Sequence, residues 1–322
     1  MNTFTRISRY LYACLALGVT VAAAILFALG LADPFAIGYP LSPIRVALTV
    51  LLLSAFPLLL THAFVAKKEG LTHANDPLPV RIVAIPNAVM LAVAAILLFS
   101  GLGAGSDPYR LAFVTGAACL AGTLYFLMIA AGGEGPIPVK SLAGMGYILM
   151  HVAYVMMLYF DTTVATGNPV KVFLMAGFLC SLLHLVTDIR ITLAKPLHIF
   201  SRAISWACAV MTGLAGIGGI LLLCMHKKLP FGLLPHLILT LSFLFIYVRA
   251  LWMPRAGVLA QPDDAPARAT VQTAPAVFDA ETATVQPNTP TIRMGEEEGP
   301  LNLTDPTPRH RIQANQDHES ED

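Results

Sequence analysis

Residues 141–193 read SLAGMGYILMHVAYVMMLYFDTTVATGNPVKVFLMAGFLCSLLHLVTDIRITL. Two apolar runs flank a short polar segment, and a helix of about 20 apolar residues crosses roughly 30 Å of hydrocarbon. Every backbone polar group must be satisfied internally in a bilayer, and these runs are too long and too unalternating for barrel strands. The stretch therefore predicts two transmembrane helices joined by a short turn.

The same pattern recurs along most of the chain, which is 56% hydrophobic and 12% charged with a mean hydropathy of +0.70. A soluble domain typically carries about 25% charged residues. Short connections also predict that sequential helices are antiparallel neighbours. We predict an all-α integral membrane protein with eight transmembrane helices over residues 1–252. The predicted spans are 10–31, 44–66, 80–102, 110–131, 141–162, 170–193, 203–225 and 230–252.

The first run has a second interpretation, because small residues at Gly30-Leu31-Ala32 are compatible with signal-peptide cleavage. Cleavage would leave seven spans. A signal peptide has an apolar region of about 7–15 residues, and this run is longer, which favours a retained helix.

Composition changes abruptly after Trp252. Residues 253–322 contain 5 Arg against 12 Asp and Glu, whereas residues 1–252 contain 15 Lys and Arg against 7 Asp and Glu. A segment rich in Pro, Ala, Thr and acids buries too little apolar surface to offset the entropy of ordering. We predict a disordered, acidic tail, with acidic clusters at 296–298 and 318–322 and a protein partner for residues 256–322.

The sidedness follows from the Lys and Arg residues that flank the spans. With the N-terminus inside, eleven of them fall on the inner side and five on the outer side. The pair Lys227–Lys228 opposes the rule. The count predicts that both termini are cytoplasmic, and the sequence does not indicate which membrane.

Polar residues form one stripe on each helix of the opening stretch. Gly177 and Leu158 are the small and apolar members of these stripes, and Asp161 ends the first one. The stripes predict a polar interior between the fifth and sixth spans. The candidate residues are Tyr147, His151 and Tyr154 on the fifth span and Ser181, His184 and Asp188 on the sixth.

Three interpretations of this interior stay open. His151 and His184 lie about 15 Å and 20 Å into their spans and suggest a haem or metal site, although their depth offset counts against a haem plane between them. With Asp188 one turn from His184, the set also suggests a proton relay or polar pathway. The third interpretation is interhelical packing through hydrogen bonds. We expect Asp188, Arg190 and Asp161 to reach water by snorkelling from helix ends.

Small residues and prolines mark the remaining spans. The glycines of GLAGIGG (213–219) predict close helix packing rather than an open passage. Pro57 and Pro86–Asn87 predict kinks in the second and third spans.

No catalytic or phosphate-binding motif occurs in the sequence, so no residue is assigned a catalytic role. We expect a non-catalytic multi-pass protein that acts in membrane assembly, trafficking or protein interaction through its tail. The alternatives are a small-solute or proton-coupled transporter and a haem- or metal-binding redox protein. We expect the lipid bilayer as the environment of the helices and no nucleic-acid partner.

Overall fold

The computed structural model describes residues 3–32, 42–66, 76–102, 109–132, 137–193, 200–225, 229 and 231–252. The predicted tail, residues 253–322, lies outside the described residues. Within the described part the chain is helical and contains no strand. The helices are α1 (Thr3–Ala32), α2 (Pro43–Leu60), α3 (His62–Ala66), α4 (Leu78–Phe99), α5 (Tyr109–Ala130), α6 (Ile137–Phe160), α7 (Pro169–Thr192), α8 (Ser201–Cys224) and α9 (Leu234–Trp252).

Eight stretches of the described chain are long and apolar enough to cross a bilayer, and they coincide with the eight predicted runs. The protein is therefore an integral, multi-pass membrane protein, as predicted. The second run differs in detail because it is interrupted at Thr61, which separates α2 from α3 four residues after Pro57. The Thr61 N–H bonds to the Pro57 and Leu58 carbonyls, which keeps the interruption to a single turn.

Six helices form a closed ring in which each packs on the next, from α4 to α9, and α9 packs back on α4. Helix α9 also contacts α7 across this ring. Helix α1 packs outside the ring on α8, and α2 covers α1 and the edge of α8. The ring therefore has one side covered by other helices and the rest facing lipid.

The expectation that every pair of sequential spans is adjacent is wrong at one position. Among the described residues α2 and α4 do not touch, although they follow each other in the chain. The connection between the end of α3 and the start of α4, residues 67–77, has eleven residues, a length of chain that can reach at most about 36–40 Å. This reach allows α4 to start the ring away from the α1–α2 pair.

Large apolar side chains cover the outward faces of the bundle. Leu53, Phe64, Ile96 and Leu142 are each between 67% and 71% exposed. Such exposure matches a lipid surround, in which apolar side chains lose nothing by facing outward. The aqueous ends of the bundle are consequently the places where charged side chains are least costly.

Close packing inside the bundle depends on the glycines of α8. A Cβ on Gly219 would lie 1.9 Å from His236 Nδ1, and one on Gly216 would lie 2.5 Å from the Thr240 backbone nitrogen. A Cβ on Gly218 would meet the Phe27 ring of α1 at 2.7 Å. The structure thus agrees with the packing interpretation of GLAGIGG, because these glycines let α9 and α1 approach α8.

Candidate functional site

All six predicted interior residues are buried in the ring. Their side chains are at most 4% exposed, and they come from facing sides of α6 and α7: Tyr147, His151 and Tyr154, and Ser181, His184 and Asp188. Burial alone does not give these residues a function, and the hydrogen bonds around them decide the chemistry open to each one.

His151 is hydrogen-bonded at both ring nitrogens. Its Nδ1 lies 2.9 Å from the Tyr147 carbonyl oxygen, and its Nε2 lies 2.8 Å from Ser181 Oγ. A carbonyl only accepts, so Nδ1 carries the proton and Nε2 accepts from the Ser181 hydroxyl. His151 is thus a neutral imidazole that joins α6 to α7.

The two tyrosines of α6 are in different situations. Tyr147 pairs through its hydroxyl with Ser242 of α9 at 3.1 Å. Tyr154 stacks on Phe178 with ring centroids 4.8 Å apart, and its buried hydroxyl has no hydrogen-bond partner. One tyrosine therefore links α6 to α9, and the other leaves a polar atom unsatisfied in the interior.

The tautomer of His184 is set by the Ser205 hydroxyl. Ser205 donates its only hydroxyl proton to the Ser201 carbonyl at 2.9 Å, so its oxygen accepts from His184 Nδ1 at 3.0 Å. The proton of the neutral ring is then on Nδ1, and Nε2 presents a lone pair. This Nε2 is buried and has no hydrogen-bond partner.

Asp188 differs from its prediction. The expectation that it snorkels to water is wrong, because the side chain is 0% exposed. The Arg249 Nε lies 2.6 Å from Asp188 Oδ1, and the Tyr125 hydroxyl donates to Oδ2. A buried carboxylate needs a paired cation and hydrogen-bond donors, and these two side chains supply both.

Arg249 joins this carboxylate to a second one. Its Nη1 donates to Asp76 Oδ1, and Lys140 Nζ lies 3.0 Å from Asp76 Oδ2. The Asp76 backbone carbonyl accepts a further bond from Arg81 Nε at 2.6 Å. The five side chains form what we call the charge cluster: Asp76, Tyr125, Lys140, Asp188 and Arg249.

The charge cluster is balanced and lies at one end of the ring. It holds two carboxylates, one guanidinium and one ammonium, and the four charged side chains are at most 8% exposed. Its members come from the start of α4 and α6 and from the end of α5, α7 and α9. Antiparallel helices bring these ends together, so the cluster joins five elements at one face of the membrane.

Asp161 and Lys171 mark the opposite end of α6 and α7. Asp161 accepts bonds from the Thr163 backbone and hydroxyl, and Lys171 is 0% exposed with its Nζ 2.7 Å from the Asp161 carbonyl and 3.2 Å from the Val164 carbonyl. At this end a capped turn joins α6 to α7, and Lys171 bonds to two carbonyls of that turn.

The residues do not fit a haem or metal site between His151 and His184. Both nitrogens of His151 are engaged within the protein, so a metal would have to displace Ser181. His184 offers one lone pair, and the described residues contain no group of three or more His, Cys, Asp or Glu side chains arranged for a metal. A single imidazole is a weak basis for a resident metal.

Sequence reasoning missed four of the five cluster members: Asp76, Tyr125, Lys140 and Arg249. One signal was present for two of them, because the predicted sidedness placed Lys140 and Arg249 on the inner side. The sequence gives no such signal for Tyr125, since a tyrosine within an apolar run is as typical of simple packing as of a polar site. The Ser205 and Ser242 partners were missed for the same reason.

Comparison with known proteins does not add a family to this geometry. No protein-family model, no curated protein and no solved structure matches the chain. The functional conclusion therefore depends on the site and on the sequence.

Proposed function

We propose that this chain is a non-catalytic membrane protein that acts in membrane assembly, trafficking or protein interaction through residues 253–322. In this proposal the helical bundle fixes the position at which this tail starts. The observation that carries the proposal is the anchoring of α9. The helix ends at Trp252, and the cluster residue Arg249 lies in its last turn, immediately before the tail begins.

Three separate contacts tie this last part of α9 to the bundle. Arg249 binds the carboxylates of Asp188 and Asp76. The Leu251 carbonyl accepts a bond from Arg9 Nη1 at 3.3 Å. The Tyr247 hydroxyl lies 3.1 Å from the Ala13 carbonyl of α1. Helix ends ordinarily fray, and this concentration of contacts supports a role for α9 in presenting the tail.

Packing of the ring interior supports a static bundle rather than a passage. The Phe126 ring of α5 meets the Phe245 ring of α9 with centroids 4.8 Å apart, and the Tyr147 ring at 5.0 Å. These aromatic side chains fill the space between the charge cluster and the hydrogen-bonded pairs deeper in the ring.

The proposed sidedness puts the charge cluster at the cytoplasmic end of the bundle and the tail in the cytoplasm. It is supported by the excess of basic residues, eleven against five, on the side that includes both termini. The sequon Asn302-Leu303-Thr304 reports on it directly. Expression in a glycosylating host should leave Asn302 unmodified, and a glycan on Asn302 would contradict the assignment.

The main test separates the tail from the bundle. Three forms are compared in the native cells: the full chain, a chain that ends at residue 252, and residues 253–322 fused behind an unrelated single-span anchor. We expect the truncated chain to insert but to lose its normal location and its co-purifying proteins. We expect the fusion to recover both.

A matched control replaces Glu296, Glu297 and Glu298 by Gln in the full chain, which keeps its length and removes three charges. A graded loss of partners is expected if acidity of the tail contributes to recognition. Normal location and partners for the truncated chain would overturn the proposal.

The second candidate function is a proton-coupled carrier, which the unsatisfied atoms of the interior favour. His184 Nε2 and the Tyr154 hydroxyl are both buried without partners and are candidates for proton or water binding. The test is proton flux into liposomes that contain the purified protein, with the His184→Ala, Asp188→Ala double variant as control. Flux that the double variant abolishes would replace the first proposal.

A further inference from the structure

His184 lies beside the charge cluster and has a ring nitrogen that can bind a proton. It lies one helical turn before Asp188 on α7, and residues four apart share a helix face. Its Nδ1 is held by Ser205, so any added proton goes to the unpartnered Nε2. Histidine is also the side chain whose ordinary pKa, about 6.5, is closest to neutral pH.

We propose that Nε2 of His184 is a proton-binding site, and that proton binding there releases the last turn of α9 from the charge cluster. The biological role of this release rests on the proposed function, because the released turn directly precedes the tail. The proton itself needs no further chemistry, since it binds an existing lone pair.

The surroundings of His184 give the direction of the effect. Burial disfavours a charged imidazole at His184 most strongly. On its own helix Asp188 attracts the charged ring, while Arg249 of α9 repels it. From α8 the ring meets the Ser205 hydroxyl, and the Cys208 thiol lies against the His184 backbone. The Phe245 ring of α9 lies 6.4 Å away between centroids. Lys140 of α6 belongs to the same cluster through Asp76.

The number of charges in the cluster explains why Arg249 is the group that leaves Asp188 when His184 is protonated. With neutral His184 the cluster holds two positive and two negative side chains. A protonated ring adds a third positive charge and a new N–H donor in a buried place. Asp188 is the carboxylate next to it, so the imidazolium competes with the guanidinium for the same oxygens. Arg249 is three residues from the end of α9 and leaves more easily than a mid-helix residue.

Amide hydrogen exchange measures this release in the full chain in nanodiscs between pH 4.5 and 8, after correction for intrinsic exchange rates. We expect exchange in the peptide that covers residues 246–252 to rise about tenfold at low pH, which corresponds to one pK unit of coupling. Exchange in α8 is expected to stay constant. If amide exchange in this peptide does not rise at low pH in the wild-type protein, the proposal is overturned, and no variant is needed to reach that result.

Four variants identify the residue responsible. His184→Gln cannot titrate in this range, so the rise should vanish. His151→Gln and His236→Gln are matched controls, because both histidines are buried to 0% exposure and should leave the rise intact. Asp188→Asn should give fast exchange at every pH. A rise that persists in His184→Gln, or that vanishes in either control, overturns the assignment.

This experiment and the test of the proposed function fail separately. Exchange is read on α9 alone, and a chain that ends at residue 252 should give the same rise. If the tail proves dispensable for location, the proposed proton-binding site is unaffected. If exchange in α9 does not depend on pH, the proposed role of the tail is unaffected.

Discussion

The charge cluster and the deeper hydrogen-bonded pairs occupy the same helical ring, yet they accommodate buried polarity in different ways. In the cluster, two carboxylates share one guanidinium, and each charged group touches at least one opposite charge. Deeper in the ring, Tyr147 pairs with Ser242 and His151 with Ser181, and all four side chains are neutral.

The difference follows from distance to water. A charge near the bilayer centre is much more costly than one near an end, whereas a neutral hydrogen bond needs only a partner on the next helix. The cluster therefore fixes how the helix ends meet, because a buried charge that is left without an opposite charge is strongly destabilising. The neutral pairs contribute packing that other side chains can replace.

The largest expected effect is that of Arg249→Met. Loss of the guanidinium takes the shared cation from both carboxylates, and breaking a buried ion pair costs about 3–5 kcal/mol. We expect that loss in the free energy of unfolding, measured by denaturant titration in mixed micelles. Adding Asp188→Asn should recover part of it, because the amide still accepts from Tyr125 and carries no charge.

Arg190→Met is the matched control for this variant. Arg190 lies in the last turn of α7 near Asp188 but is exposed, so we expect a change within about 0.5 kcal/mol. Equal losses for the two arginines would show that the cluster does not dominate the stability of this end.

The second effect is that of Lys140→Met. Asp76 loses its Lys140 bond at 3.0 Å but keeps Arg249, so we expect a loss of about 1.5–3 kcal/mol, typical of one hydrogen bond to a charged group. A double-mutant cycle tests whether Lys140 and Arg249 act on Asp76 together. Lys140→Met should cost more in the Arg249→Met background, because Asp76 then loses both cations. Strict additivity would contradict a shared cluster.

Most of the fold could be predicted because the signal is local. An apolar run of sufficient length is a helix in lipid regardless of its surroundings, and all eight runs are helical. The neighbour relation of α2 and α4 could not be predicted, since it depends on how α1 and α2 pack on α8. Only Pro57 gave any indication of the break at Thr61.

The interior could be predicted in part. Helical spacing alone placed His151, Ser181 and His184 on facing stripes, and spacing is a local property. Asp76 and Arg249 are 173 residues apart, so their pairing depends on the ring closing between α9 and α4. The burial of Asp188 depends on the same closure, which explains why an expectation from its helix-end position was wrong.

The third effect tests whether the neutral region depends on close helix approach. Gly219→Ala places a Cβ 1.9 Å from His236 Nδ1, so α8 and α9 must separate or the ring must move. Overpacking of this kind costs about 1–3 kcal/mol. Gly18→Ala is the control, because a Cβ there meets nothing within 4 Å. It should be neutral or stabilising in the same unfolding measurement.

The smallest expected effect is that of Ser181→Ala, which takes the hydroxyl donor from His151 Nε2. Interhelical hydrogen bonds inside membranes contribute about 0.6 kcal/mol on average and up to about 1.7 kcal/mol. We expect a loss in this range, with Ser54→Ala, an exposed serine bonded only within α2, as the unaffected control. Since His151 stays neutral, no charge is stranded when its partner leaves. A loss that equals that of Arg249→Met would mean that the neutral pairs are as irreplaceable as the charged ones, and the proposed contrast between the two regions would fail.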